Sequence, residues 1–142
     1  MIKTSKKQKR TDSVSVAHEF ALKAATAALD KKAEDVKIIH LKGLTDITDF
    51  FVVCTAGSDP QVKAIADSVD ASLTAAGWEP WHTEGYSNLK WVLLDYVDVV
   101  VHVFYKDARD FYGLDRLWAD APYERVEDTV SGIKITPSGS QS

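Results

Sequence analysis

The run Phe50-Phe51-Val52-Val53-Cys54-Thr55-Ala56 constrains this chain more than any other segment. It is apolar on both faces, so neither side of it is suited to water. Such a run reads as a central strand of a sheet. Gly57-Ser58-Asp59-Pro60 then turns into a helix, with Val62, Ile65, Ala66, Val69 and Leu73 recurring at helical spacing. Ser58 with Gln61 fits a capping box, and Asp59 with Pro60 fits an N-cap followed by a first-turn proline. Gly77 is placed to stop the helix.

The remaining pattern extends this βα unit. Val16 to about Lys32 predicts a helix with Val16, Phe20, Ala24, Ala27 and Ala28 on one stripe and Ser13 or Ser15 as its cap. The stripe is thin, which predicts a helix lying on the surface. Val36–Leu41 reads as a strand and Lys42–Asp49 as a polar connector. Trp78–Glu84 is a short strand that Pro80 confines to an edge. Trp91–Leu94 and Val99–Tyr105 flank Asp95-Tyr96-Val97-Asp98, a gap short enough for an antiparallel hairpin. Phe111, Leu114, Leu117 and Trp118 fit one or two short helices, loosened at Gly113. The expected fold is α/β: a single compact domain over residues 13–128, with a mixed sheet of about five strands and flanking helices. Residues 1–12 read as a basic disordered tail, and residues 129–142, rich in Ser, Gly and Thr, as a flexible one.

Composition narrows the function. The 142 residues hold one cysteine, which excludes an internal disulfide and any multi-cysteine zinc module, and favours a reducing compartment. No run approaches a membrane span. The net charge of −4 is unevenly spread: without residues 1–12 the body keeps 12 basic and 20 acidic residues, about −8. Such a body is a poor general ligand for phosphate backbones and suits a basic protein instead. All four tryptophans and all five tyrosines, with Phe111, lie after residue 77. Tryptophan and tyrosine dominate interface hot spots, so this half is expected to carry a binding face.

No catalytic set emerges. His18, His40, His82 and His102 are not at metal-ligand spacing with one another or with Cys54. His102, alternating with Val100 and Phe104, reads as a hydrogen-bonded buried histidine. Cys54 reads as a small core residue. The Gly57-Ser58 turn resembles that of nucleotidyltransferases, but the following strand lacks the paired carboxylates that would hold magnesium. Walker and Rossmann spacings do not occur. No cofactor, metal or small-molecule substrate is expected.

The stretch WVLLDYVDVVVHVFYKDARDFYGLDRLWADAP, Trp91 to Pro122, resembles the signature of the ribosomal silencing factor family, also called Iojap-like. Trp91, Asp95-Tyr96, Asp98, His102, Arg109, Phe111-Tyr112, Leu114 and Leu117-Trp118 carry the likeness. It extends upstream through Asp46–Val53 and Gly57-Ser58, covering residues 14 to 122. The resemblance implies a nucleotidyltransferase-like core without enzyme activity. It also implies binding to the large ribosomal subunit through its fourteenth protein, which blocks joining of the small subunit and damps translation when nutrients are short. A bacterial cytoplasm is the expected setting. At Val97 the family commonly has glycine, so this turn either takes another geometry or carries strain.

On this reading the expected contacts are Trp91, Leu94, Asp95, Tyr96 and Asp98 from the hairpin and Tyr112, Leu114, Leu117 and Trp118 from the last helix. Arg109 is the tenth residue expected at the face, pairing with a nearby carboxylate and orienting it, and Tyr96→Ala is expected to fold yet lose the large subunit. A minor contact to rRNA and a homodimer are further expectations. The rival classes are a nucleotide-binding enzyme and a dimeric scaffold.

Overall fold

β2 (Phe50–Ala56) is buried at every position, and it lies between β1 (Glu34–His40) and β5 (Val99–Tyr105). This is the central strand its sequence requires. The computed structural model describes residues 9–139, with side chains from residue 16 onward. The other elements are α1 (Lys9–Leu29), α2 (Asp59–Ala75), β3 (His82–Glu84), β4 (Trp91–Asp95), α3 (Lys106–Tyr112), α4 (Leu114–Leu117), β6 (Tyr123–Thr129) and β7 (Gly132–Pro137). One mixed sheet of seven strands runs β3-β4-β5-β2-β1-β6-β7. Among the described strands only β2 and β5 pair in parallel, which the helical crossover between them permits.

Three expectations change. The sheet has seven strands where about five were expected. The expected flexible tail, residues 129–142, contains β7, which pairs with β6 from Thr129↔Gly132 to Glu124↔Pro137. The turn is closed by Thr129 Oγ1, which donates to Gly132 O at 2.7 Å, and Ile133 and Ile135 alternate with Lys134 and Thr136 along the new strand. The expected tail at residues 1–12 lies outside the described residues up to residue 8, and Lys9 to Asp12 already belong to α1. α1 therefore starts before Ser13 and Ser15, and neither stands at its beginning.

α1 is also not a surface helix. Ala17, Phe20, Ala21, Ala24, Ala25, Ala27 and Ala28 are all buried in the larger core. Alanine side chains end at Cβ, so this helix settles directly onto α2 and the sheet. Ser68 Oγ on α2 reaches the Ala27 carbonyl at 2.9 Å. The start of α2 follows the capping prediction: Ser58 is the N-cap, its Oγ accepts from the Gln61 N–H at 3.2 Å, and proline stands in the first turn. Gln61 Oε1 accepts from the Gly57 N–H, and its Nε2 donates to the carbonyls of Lys31 and Lys32. One side chain thus ties the end of α1 to the start of α2. Gly85 (φ +92) enters β4 so closely that a Cβ there would stand 1.9 Å from the Trp91 carbonyl oxygen.

The sheet separates two cores. Ile38, Phe50, Val52, Cys54, Val92, Leu94, Val101 and Val103 face α1 and α2. Ile39, Phe51, Val53, Val100 and Phe104 face the other way, where only α3, α4 and the segment to Ala121 cover them.

Candidate functional site

The strand period decides which hairpin residues reach the second face. Along β4 burial alternates: Trp91, Leu93 and Asp95 are half-exposed, whereas Val92 and Leu94 are buried. Tyr96 continues the buried series and sets its ring edge-on to Phe20 of α1, with centroids 5.1 Å apart. Leu94 and Tyr96 therefore belong to the helix-covered core. The expectation that they contact a partner is corrected, and with it the reading of Tyr96→Ala as a folded, binding-deficient variant. Burial also raises the Tyr96 hydroxyl above its ordinary pKa, aided by Asp70 and Tyr86.

Trp91 anchors the opposite face. Its ring stacks on Phe104 at 4.9 Å and lies 4.8 Å from Tyr112. Its Nε1–H donates to His102 Nδ1 at 3.1 Å, which fixes its tilt. His102 is buried against Phe51 (4.4 Å between centroids), as a supporting residue would be. Burial lowers its pKa to about 3, so the ring is neutral and accepts from Trp91.

The turn beyond β4 holds Val97 at φ +76. The Asp98 N–H donates to the Tyr96 carbonyl at 3.0 Å across it, a γ-turn, while the Val97 N–H donates to Asp95 Oδ1 at 2.8 Å. A β-branched residue is strained there. Asp98 is exposed, and its carboxyl is raised by partial burial and by Asp49 nearby.

α3 and α4 supply the rim. Phe111 is 78% exposed, Leu117 72% and Tyr112 52%. Trp118 is half-buried, its ring edge-on to Phe51. Leu114 is buried beneath α4 and Arg109 beneath α3, so neither offers a free surface. Arg109 is a clamp. Its Nε and Nη2 hold both oxygens of Asp115 at 2.9 and 3.0 Å, and its Nη1 donates to Thr55 Oγ1 and to the Asp35 carbonyl. Asp35 (φ +50) stands at a bulge where β1 slips against β2. Burial disfavours the Asp115 carboxylate, but bonding and charge from Arg109, with Lys37, outweigh that and hold it at about 2. Of the ten expected contact residues, the face gathers Trp91, Asp95, Tyr112, Leu117 and Trp118, with Asp98 at the turn beside it. Phe111 belongs with them although it was not among those expected, and a large apolar residue beside exposed Tyr112 was the available signal.

The Gly57-Ser58 turn makes a different use of its groups. Its amide and hydroxyl are engaged by Gln61 in capping α2. Elsewhere the fold unites residues far apart in sequence: His18 Nε2 and His40 Nε2 lie 2.7 and 3.1 Å from the same oxygen, Glu124 Oε1. Sequence spacing pointed to no such pairing. Burial alone would raise Glu124, but bonds from both histidines lower it.

These features define a small α/β domain with one sheet face closed by helices and the other left partly open under an aromatic rim. The sequence profile described as "Ribosomal silencing factor during starvation" matches residues 14–141. The ribosomal silencing factor of Halalkalibacterium halodurans is 45% identical over 108 residues, covering 76% of this chain and 92% of that protein. That of Bacillus subtilis is 43% identical over 99 residues, 70% of this chain and 84% of its own. A crystal structure of a Chromobacterium violaceum protein superposes with a TM-score of 0.70 at 37% identity, over 72% of this chain and 85% of that one. The chain belongs to the ribosomal silencing factor family.

Proposed function

We propose that this domain docks on the large ribosomal subunit through the fourteenth protein of that subunit, and stands where the small subunit must join. Translation is thereby repressed under nutrient limitation. The observation that carries the reading is the exposed group Phe111, Tyr112 and Leu117 beside half-buried Trp91 and Trp118. Large side chains at a rigid, partly desolvated face are what hot spots require. Exposed Asp98, Asp107 and Asp110 lie on the same hairpin and helices and Asp120 in the turn after them, outnumbering exposed Lys106 and Arg116, which favours a basic protein partner over rRNA and speeds encounter with it.

The mechanism is steric and needs no catalysis. The aromatic rim supplies affinity, Arg109 and His102 hold the rim rigid, and the body of the domain excludes the second subunit. The capping role of Gly57-Ser58 supports this over a nucleotide-binding enzyme. The setting is a bacterial cytoplasm. Among the described residues, no helix is long and apolar enough to cross a membrane.

The test is gradient sedimentation of the full chain with separated subunits. Co-sedimentation with the large subunit alone, and fewer joined particles when both are mixed, are expected. Normal joining in its presence sinks the proposal. Light scattering without ribosomes distinguishes a dimeric scaffold, which self-associates through the same face.

A further inference from the structure

The group His18, His40 and Glu124 lies on the side of the sheet opposite the aromatic rim. His40 ends β1 opposite Phe50, and Glu124 on β6 stands opposite Ile38, which faces α1. His18 comes down from α1 itself. The cluster therefore joins three elements on the helix-covered side of the sheet. Its donor atoms all lie within 4.8 Å of one another, and the three residues are half-buried. Both imidazole nitrogens point at one carboxylate oxygen, at 2.7 and 3.1 Å. The His18 and His40 rings each lie beside Phe50, at 5.5 and 5.1 Å between centroids, which holds them in place.

We propose that His18, His40 and Glu124 form a binding site for a divalent transition metal of the zinc class. Two imidazoles and one carboxylate are a borderline donor set, which suits zinc, cobalt or nickel and not magnesium or calcium. Tetrahedral zinc with bonds of about 2.0–2.1 Å places its ligand atoms about 3.3 Å apart. The nitrogen–oxygen separations must open by about 0.6 and 0.2 Å to reach that, and the two imidazole nitrogens, within 4.8 Å of each other, must draw to it as well. To bind through Nε2, each neutral ring carries its proton on Nδ1, and any imidazolium proton passes to solvent. Three protein ligands leave a fourth position for water. Bound there, the metal pins α1 to β1 and β6 and does not touch the aromatic rim.

The test uses the full chain, stripped with a chelator and titrated with zinc chloride by calorimetry. One saturable equivalent is expected. His40→Gln and Glu124→Gln should each weaken it about tenfold or more, whereas His82→Gln, which alters the exposed His82–Glu84 pair, should leave it unchanged. No saturable equivalent, or undiminished affinity in folded His40→Gln, overturns the site. Cobalt(II) added to the unaltered chain gives a readout that needs no variant. An intense visible band marks tetrahedral nitrogen and oxygen ligation, and the faint spectrum of the hydrated ion overturns the proposal.

Discussion

The two faces of the sheet are built from different materials. Under α1 and α2 the fully buried side chains are mostly aliphatic and small, and the charged group there, His18, His40 and Glu124, is half-buried. Under α3 and α4 the cover is thinner, and the packing mixes Trp91, Phe51 and Phe104 with a neutral histidine and a clamped arginine. The first face can be stabilised by burial alone, at roughly 25 cal/mol for each Å² of apolar surface. The second keeps large rings near water, so it depends on directional bonds to hold them still. On the proposed docking mode, stability and recognition fall on opposite sides of one sheet.

Substitutions can break this division, and the largest effect falls on the closed face. Ile65→Ala on α2 should cost about 4 kcal/mol in urea unfolding, with large-subunit binding by the folded fraction unchanged. Arg109→Met should cost about 3 kcal/mol, because Asp115 and the Asp35 carbonyl lose their buried partner. If it costs nothing, the clamp is incidental to the open face. The double variant Tyr112→Ala/Leu117→Ala should alter unfolding by less than about 0.5 kcal/mol yet weaken co-sedimentation by about 2 kcal/mol. Unchanged binding would remove the rim from the interface. His102 supplies a pH test. Its pKa is about 3 in the fold against an ordinary 6.5, so the unfolded chain binds a proton that the folded chain refuses. Its contribution is complete above pH 6.5 and is lost as pH falls toward 3, at about 1.4 kcal/mol per unit. His102→Gln should flatten the stability profile between pH 6.5 and 4. The smallest effect is at the turn, where Val97→Gly should raise stability by about 1 kcal/mol, read as a higher urea midpoint.

The sequence made β2, α2 and the β4–β5 hairpin legible, because their apolar patterns leave little choice. β6 was not legible, since Val126 is its one fully buried residue and, beyond half-buried Tyr123, the rest carry charge or face water. α1 was misjudged because alanine scores as weakly apolar, although its small size is what admits close packing. At the site, the alternation in Trp91-Val92-Leu93-Leu94-Asp95-Tyr96 already separated Trp91 from Leu94 and Tyr96, yet aromatic character outweighed it. For Arg109 a nearby carboxylate was the legible partner, and Asp115 is six positions on; Asp35 and Thr55, 74 and 54 positions away, could not be foreseen. His18, His40 and Glu124 were hidden for the same reason.

The alanine surface of α1 has a consequence for how this protein can vary. A methyl group has no rotamer to freeze, so seating the helix takes little order from the side chains. The same economy leaves no slack: a larger residue at Ala21, Ala24 or Ala28 cannot swing aside, because the space beyond each Cβ is filled by neighbouring helix and sheet. The first helix thus tolerates change on its wet side and almost none on its dry one, an asymmetry set by side-chain volume and not by chemistry.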